Sequence, residues 1–246
     1  MNFVFRAIAS SLLILFVTAA CGGGDGDDDG TSGDASTTET SGGDGGSFTA
    51  DDAQALLEAA SLKAGDLPGA WVAGTDTTQD NAAAAATAPE QAASSERCGR
   101  LLGRTVTYMP EDVITAFIGG ESLSFFSTMT VYETEAGAAD CSTEAAARFQ
   151  QPGELARAFG NVFIDPSAVQ VAPFEYPLIG DGSFAATLTG QVDAMGTPIN
   201  ITILLVGFLE GNTTAAVGSA RSGSIPPAEE LTPLVNLTLG RIRENQ

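Results

Sequence analysis

The sequence reads INITILLVGFLEGNTTAAVGSAR from Ile199 to Arg221. β-Branched and apolar residues dominate both halves of this stretch, which favours two strands, and Glu210-Gly211-Asn212 between them favours a tight hairpin turn. The first strand is apolar on both faces near Leu204 to Phe208, so neither face suits contact with water. It is therefore predicted to be covered on both sides, by helices or by a cavity.

A terminal helix is predicted to follow this hairpin. Pro227 with Glu229 and Glu230 favours an early start, whereas Thr232 as the cap with Pro233 in the first turn favours a later one. In either case one side of the helix is apolar, and we expect the hairpin to pack against that side. The residues expected to be buried together across this contact are Ile201, Ile203, Leu205, Leu234, Leu239 and Ile242.

Periodicity and capping signals place further elements between Thr49 and Val192. The predicted helices are a short one after the Thr49 cap, Pro89 to Leu102, Glu135 to Phe149 and Pro152 to Phe159. The predicted strands are one that begins near Trp71, Val113 to Ile118, Leu123 to Tyr132, Ala168 to Tyr176 and Ser183 to Val192. This order predicts an α+β fold, a largely antiparallel sheet packed by helices on both faces, with a C-terminal β-hairpin followed by a terminal helix.

The N-terminal segment has the layout of an export signal. Arg6 and the free amino terminus precede an apolar run of about eleven residues, Ala7 to Val17, which is too short to span about 30 Å of hydrocarbon. Small residues follow this run and end in Ala20 and Cys21. Residues 1–20 are therefore predicted to be a signal peptide. One alternative is a soluble secreted protein that is cleaved after Ala20 and in which Cys21 is incidental.

The stretch Val17-Thr18-Ala19-Ala20-Cys21 resembles the lipobox of bacterial lipoproteins of the high-GC Gram-positive type. The resemblance implies that Cys21 becomes the mature N-terminus and carries lipid such as palmitate. It also implies that the protein is held on the outer face of the cell membrane, an extracytoplasmic location. Two or three acyl chains anchor a protein stably, at about 0.8 kcal/mol per buried CH₂. The membrane is thus a predicted partner, reached through the N-terminal lipid.

Residues 21–46 are predicted to be the lipidated N-terminus and a disordered acidic tether. Gly22 to Gly46 has no large apolar side chain and cannot offset its conformational entropy. As a flexible coil it has an r.m.s. reach of about 25–30 Å, and its seven acidic residues are repelled by anionic headgroups. Asp25 to Gly30 matches the opening of an EF-hand loop. The twelfth position is Ser36 instead of Glu, so no metal site is predicted.

Residues 47–246 are predicted to form a single α+β globular domain. They hold 24 acidic and 9 basic residues, a formal charge of −15, which argues against binding to nucleic acid and against direct docking on anionic lipid. The sequence contains no histidine, which excludes Ser-His-Asp and Cys-His catalysis and histidine metal sites. Neither a phosphate-binding loop nor a dinucleotide fingerprint is present, so no cofactor is predicted.

Two cysteines remain once Cys21 is assigned to lipid. In an exported protein, Cys98 and Cys141 are expected to form a disulfide. The bridge would close a loop of about 44 residues and contribute roughly 4 kcal/mol on the chain-entropy account. A pair of free thiols is the alternative, and the spacing excludes a CxxC redox motif.

Two short motifs indicate a family resemblance. Leu67-Pro68-Gly69-Ala70-Trp71 precedes a strand and an Ala-rich helix, and the stretch from Pro177 to Ser183 precedes the hairpin strands and the terminal helix. This order resembles small exported lipoproteins of high-GC Gram-positive bacteria. Their domains are similar to PsbP-like α/β/α sandwiches and to the extracellular sensor domains of mycobacterial-type serine/threonine kinases. The resemblance implies such a sandwich over roughly residues 50–245, and no functional residue is carried over from it.

The anchor, the tether and the missing catalytic constellations predict a non-enzymatic binding or interaction module whose ligand or partner is unknown. One alternative is a carrier of a lipid or other apolar ligand in a cavity between sheet and helices. The side chains available to line it, each also a natural core residue, are Phe125, Phe126, Phe163, Phe174, Phe184 and Phe208. Another alternative is a hydrolase that uses paired carboxylates. Glu133 and Glu135 lie two residues apart, and Asp181 lies in a Gly-rich turn, where turn formation is its expected role.

Overall fold

The structure is a computed structural model, and it describes residues 47–246 except 84–92, 94–95, 150–162 and 195. The helices are α1 (Ala50–Ala60), α2 (Val113–Gly119), α3 (Glu135–Phe149) and α4 (Ala228–Asn245). The strands are β1 (Trp71–Gln79), β2 (Arg100–Pro110), β3 (Ser122–Tyr132), β4 (Gln170–Pro173), β5 (Gly182–Ala194), β6 (Thr197–Glu210) and β7 (Thr213–Ser222). The predicted signal peptide and tether, and the helix predicted at Pro152 to Phe159, lie outside the described residues.

The strands form one antiparallel sheet in the order β1-β2-β3-β7-β6-β5-β4. It consists of two meanders, β1 to β3 and β4 to β7, which join where β3 pairs with β7. The predicted hairpin is present, because β6 pairs with β7 up to Glu210 opposite Thr213. Gly211 in its turn has a φ of +53°, a left-handed conformation that favours glycine. The predicted α+β fold, with this hairpin followed by α4, is confirmed.

Helices α1 and α4 cover one face of the sheet, here named the first face. Leu204, Val206 and Phe208 of β6 point to this face and share a buried cluster with Leu234 and Ile242 of α4. Full burial of each such side chain contributes about 1.5–3 kcal/mol. The apolar side of the amphipathic helix α4 therefore packs against the central strands, as expected for a terminal helix.

The opposite face of the sheet, the second face, holds the other side of β6. Ile201, Ile203 and Leu205 point there and are buried in a cluster that includes Phe163. The predicted contact of these three residues with α4 is therefore wrong, because strand alternation sends them to the side away from α4. When a strand is apolar on both faces, its own sequence does not indicate which face a particular helix will cover.

Helix α3 packs on the second face beside the last residue of β3. Its Ala138 and Cys141 form a buried cluster with Tyr132 and Cys98. Tyr132 alternates with Val131, which belongs to the cluster under α1 and α4, so the two residues point to opposite faces. Helices consequently lie on both faces of the sheet, as predicted.

Polar contacts hold both ends of α4. At its start, the Glu230 carboxylate accepts hydrogen bonds from Ser122 Oγ at 2.7 Å and from Arg221 Nη2 at 2.5 Å. At its end, Arg243 donates to both carboxylate oxygens of Glu210, at 2.6 and 3.0 Å. Such charge-assisted contacts are directional, whereas apolar burial is not. They therefore fix the position of α4 along the sheet.

The strand predicted over Val113 to Ile118 is wrong, because this segment is helix α2. The Asp112 carboxylate caps the first turn by accepting from the backbone N–H of Thr115 at 3.0 Å. Gly120 ends the helix with a φ of +67°. Caps at both ends outweigh the β preference of the β-branched residues between them.

Strand β2 is a further departure from prediction. The helix expected over Pro89 to Leu102 cannot extend to Leu102, because β2 begins at Arg100. β2 pairs with β1 on one side and with β3 on the other. Two ladders of backbone hydrogen bonds thus decide its conformation, and neither partner is close to it in the local sequence.

Replacing Ile203 by Ala should destabilise the domain strongly. Ile203 is fully buried on the second face, and such a truncation typically costs about 2–5 kcal/mol through lost burial and the cavity left behind. Leu178→Ala is the matched control, since Leu178 is 78% exposed. Chemical denaturation should show a large fall in the midpoint for Ile203→Ala only. Equal midpoints for the two variants would contradict this account of the core.

The ion pair between Asp66 and Arg241 predicts an acid dependence of stability. Arg241 donates to both Asp66 oxygens at 2.7 and 2.8 Å, and this hydrogen bonding holds the pKa of Asp66 below its ordinary value of 3.8. The stabilisation is thus present above about pH 4 and is lost as pH falls through the lower folded pKa.

Asp66→Asn should therefore cost about 1–3 kcal/mol at pH 7 and flatten the loss of stability below pH 4. Urea unfolding at pH 7 and at pH 2.5 measures both effects. Asp140→Asn, which removes an exposed carboxylate from α3, serves as the control. The ion pair has no such role if Asp66→Asn and Asp140→Asn behave alike at both pH values.

Candidate functional site

The predicted disulfide is present. Cys98 and Cys141 are bonded, with their Cα atoms 6.0 Å apart, and both residues are buried. The bond joins the turn before β2 to α3. Gly137 allows this close approach, because a Cβ there would lie 2.1 Å from the carbonyl oxygen of Cys98. Both cysteines are therefore structural, and the free-thiol alternative is excluded. Cys21, the predicted lipidation site, lies outside the described residues.

The phenylalanines considered for a carrier cavity are divided between the two faces. Phe125 and Phe208 are buried under α1 and α4, with Phe174 packed against their cluster. Phe126, Phe163 and Phe184 belong to the cluster on the second face. They therefore do not line one shared space between the sheet and a single helical layer.

Glycines on the sheet make room for three of these rings. In each of three glycine–ring pairs, a Cβ added to the glycine would lie 2.1–2.5 Å from the nearest ring atom, closer than real Cβ atoms come. The pairs are Gly218 with Phe126, Gly207 with Phe184 and Gly190 with Phe163. The rings thus occupy space that the glycines leave, which is the close packing of a core.

The three carboxylates considered for a hydrolase bond to a turn or are exposed at the surface. Asp181 Oδ2 accepts a hydrogen bond from the backbone N–H of Gly211 at 2.8 Å, which ties the turn before β5 to the β6–β7 hairpin. This confirms its predicted role in a turn. Glu133 and Glu135 are exposed at the start of α3.

Helix α2 presents apolar side chains to solvent. Ile114 is 49% exposed, Phe117 38% and Ile118 79%. Their spacing of three and four residues places them on one side of the helix, while Ala116 is buried against the sheet. A seven-residue helix that turns three large apolar residues outward is an unusual use of hydrophobic surface, and such groups of residues mark interaction sites.

The exposed apolar residues gather at one end of the sheet. We name the two ends after β3, the Ser122 end and the Tyr132 end. α2 directly precedes Ser122, Val72 is the second residue of β1, and Ile225 follows β7 by three residues. The N–H of Ile164 bonds to the carbonyl of Gln191 near the end of β5. Of the large apolar residues that the structure shows exposed, Leu178 alone lies at the Tyr132 end.

The described chain enters at the opposite end from this apolar surface. The N–H of Phe48 donates to the carbonyl oxygen of Glu133, directly after β3, at 3.2 Å. The eleven residues of β3 separate the two ends of the sheet by about 35 Å. Any tether that precedes Phe48 is therefore attached far from α2.

Acidic side chains accompany the apolar surface at the Ser122 end. Glu111, Asp112 and Glu121 flank α2, and all three are exposed. Hydrogen bonds from Thr115 lower the pKa of Asp112, and hydrogen bonds from Ser167 lower the pKa of Asp165. These two carboxylates are consequently charged at neutral pH. The surface therefore combines exposed apolar side chains with negative charge.

Sequence reasoning missed this surface because it read Val113 to Ile118 as a strand. A strand would have turned alternate residues inward, whereas the helix turns Ile114, Phe117 and Ile118 outward together. The capping signal was present, with Asp112 before the segment and Gly119-Gly120 after it.

Across the described ranges, no group of three or more Cys, Asp or Glu side chains is arranged to hold a metal ion. Nor do those ranges contain a helix with the length and apolar character needed to cross a membrane.

No protein-family model matches this chain, and no curated protein matches it. Among solved structures, it is similar to the crystal structure of the extracellular domain of PknH from Mycobacterium tuberculosis. The TM-score is 0.50 and the identity 10%, and the match covers 80% of this chain and 98% of that chain. At this identity the likeness shows the fold alone. It confirms, at the level of the fold, the resemblance to extracellular kinase-sensor domains.

Proposed function

We propose that this protein is a lipid-anchored, extracytoplasmic docking module that carries out no chemistry of its own and binds a partner protein through the Ser122 end of its sheet. The observation that carries the proposal is the position of Ile114, Phe117 and Ile118. They are exposed on α2, at the end of the sheet opposite to the one where Phe48 enters.

The location rests on the N-terminal sequence. The lipobox-like stretch that ends at Cys21 supports a lipid anchor, and the Gly- and Asp-rich tether supports a domain held at a distance from the bilayer. The likeness in fold to an extracellular domain and the disulfide between Cys98 and Cys141 are consistent with an extracytoplasmic compartment.

The chemistry of the Ser122 end favours a protein partner over the membrane surface. Acidic residues beside α2 are repelled by anionic lipid headgroups, and the attachment of the tether at the Tyr132 end directs α2 away from the bilayer on average. The partner is expected to offer apolar side chains to Phe117 and Ile118 and to place lysine or arginine opposite Glu111 and Glu121. The carrier hypothesis has less support, because the phenylalanine rings pack against glycines of the sheet.

The anchor is tested by Cys21→Ser in cells. The variant should move from the membrane fraction to the soluble extracytoplasmic fraction and should no longer incorporate a palmitate analogue, because its acyl attachment site is gone. Fractionation and metabolic labelling measure the two effects. Should the variant stay in the membrane pellet with its N-terminal segment uncleaved, the apolar segment itself is the anchor and the lipoprotein assignment fails.

The docking surface is tested by Ile118→Asp, with Leu178→Asp as the control. The two side chains are almost equally exposed, 79% and 78%, but lie at opposite ends of the sheet. A photo-crosslinking residue placed at each position in cells, followed by mass spectrometry, should yield an identified adduct at 118 and none at 178. Ile118→Asp should weaken binding of the identified partner at least tenfold without lowering the thermal midpoint of the domain.

Other outcomes assign this end a different role. Concentration-dependent dimers that Ile118→Asp abolishes would mean that a second copy covers the surface. Binding to lipid vesicles that requires Ile118 would mean that the surface contacts the bilayer. Either result contradicts the proposed partner, as does equal crosslinking at positions 118 and 178.

A further inference from the structure

Arg100 is a buried charged residue at the Tyr132 end, two residues after Cys98. It is 4% exposed and begins β2 at a bulge between Arg100 and Leu102. Its register partner is Tyr132, so both side chains lie on the second face. Gly103 leaves space for it, because a Cβ there would lie 2.6 Å from Arg100 Nη2. The bulge and the missing side chain of Gly103 thus accommodate the guanidinium group.

This guanidinium group has few partners. Nη2 donates to the carbonyl oxygen of Gln79 at 3.3 Å, while Nε and Nη1 have no acceptor. The other arginines whose side chains are described each have a carboxylate within 4.0 Å; they are Arg97, Arg104, Arg221, Arg241 and Arg243. Burial lowers the pKa of Arg100, yet an arginine keeps its proton in proteins. The charge of the Asp80 carboxylate acts on Arg100 and raises its pKa, but neither Nε nor Nη1 bonds to that carboxylate. A buried cation whose donors have no acceptors is costly, so an anion that bonds directly to Nε and Nη1 would stabilise it.

Asn81 adds a second incomplete group beside Arg100. Its Nδ2 donates to the carbonyl oxygen of Arg100 at 2.9 Å, which fixes the orientation of the amide. The Asn81 Oδ1 atom is buried and has no donor. The two neighbouring residues therefore offer unused donors and one unused acceptor.

The surrounding part of the second face is polar. Thr105 Oγ donates to Thr128 Oγ at 3.1 Å, and Thr107 Oγ accepts from the N–H of Thr75 at 2.9 Å. Thr105 and Thr128 bond to each other and Thr107 bonds to the backbone, so these contacts leave Nε and Nη1 of Arg100 without an acceptor. The second face over β5, β6 and β7 is apolar by contrast. Buried N–H groups of a cation that have no acceptors, next to buried hydroxyl groups, suit a small polar anion.

We propose that Arg100 and Asn81 bind a small oxyanion ligand, a carboxylate or a phosphate ester that carries a hydroxyl or amino group. The anionic oxygens accept hydrogen bonds from Nε and Nη1 of Arg100. The hydroxyl or amino group donates to Oδ1 of Asn81. This site lies at the Tyr132 end and does not depend on the docking function assigned to the Ser122 end.

The test uses the full chain, purified in detergent and labelled with ¹⁵N-arginine. Inorganic phosphate and lactate are titrated separately, with chloride at equal ionic strength as the reference. The Arg100 Nε–H resonance, assigned by its loss in Arg100→Gln, should shift saturably with phosphate, with lactate or with both. Phosphate alone identifies a phosphate ligand, and lactate alone identifies a hydroxycarboxylate.

Two variants sharpen the result. Arg97→Gln removes an equal charge from an exposed site nearby and should leave the affinity for the effective anion unchanged, whereas Asn81→Ala should weaken it several-fold. If Arg100→Gln fails to fold, the Arg100 Nε–H resonance is assigned by its shift in Asn81→Ala. The titration of the wild-type protein then still decides whether the anion binds. The proposal is overturned if neither anion produces a saturable shift, or if Arg97→Gln weakens binding as much as Asn81→Ala does.

Discussion

The burial of β6 on both faces is the constraint on which the rest of this structure depends. Leu204, Val206 and Phe208 need cover on one side and Ile201, Ile203 and Leu205 on the other. Neither set can be left to water without losing a large part of the 5–15 kcal/mol that separates a folded domain from its unfolded chain. The sheet must therefore carry a layer on each face. Apolar burial brings those layers together, and ion pairs such as Glu210 with Arg243 fix where α4 lies.

Both faces of the sheet are occupied by packing, so residues at its two ends are the ones free to serve binding. The described chain begins at the Tyr132 end, where Phe48 bonds to Glu133. The Ser122 end lies about 35 Å away along β3. Antiparallel pairing brings Val72, α2 and the segment after β7 to the same end although they are far apart in sequence. The exposed apolar surface at the Ser122 end has no role in the core, and it lies far from the point where the described chain enters at Phe48.

The second face has two different halves. Over β5 to β7 it is apolar and closely packed, with phenylalanine rings beside glycines. Over β2 and β3 it holds Thr105, Thr107 and Thr128 together with Arg100, whose Nε and Nη1 have no acceptor. Apolar packing stabilises the domain, whereas buried donors of Arg100 that lack acceptors lower its stability, and the proposed anion would supply those acceptors. The disulfide between Cys98 and Cys141 secures the chain two residues before this arginine.

The sequence by itself determined the fold class, the hairpin, α3, the terminal helix and the disulfide. These features depend on strong local periodicity, on turn residues such as Gly211 and on the small number of cysteines. Tertiary structure alone decided that β2 is a strand, that Ile203 faces away from α4 and that two N–H groups of Arg100 have no acceptor. Pairing between distant strands, the choice of face for a strand apolar on both sides and the partners of a buried charge are long-range properties. A local sequence window contains no information about them.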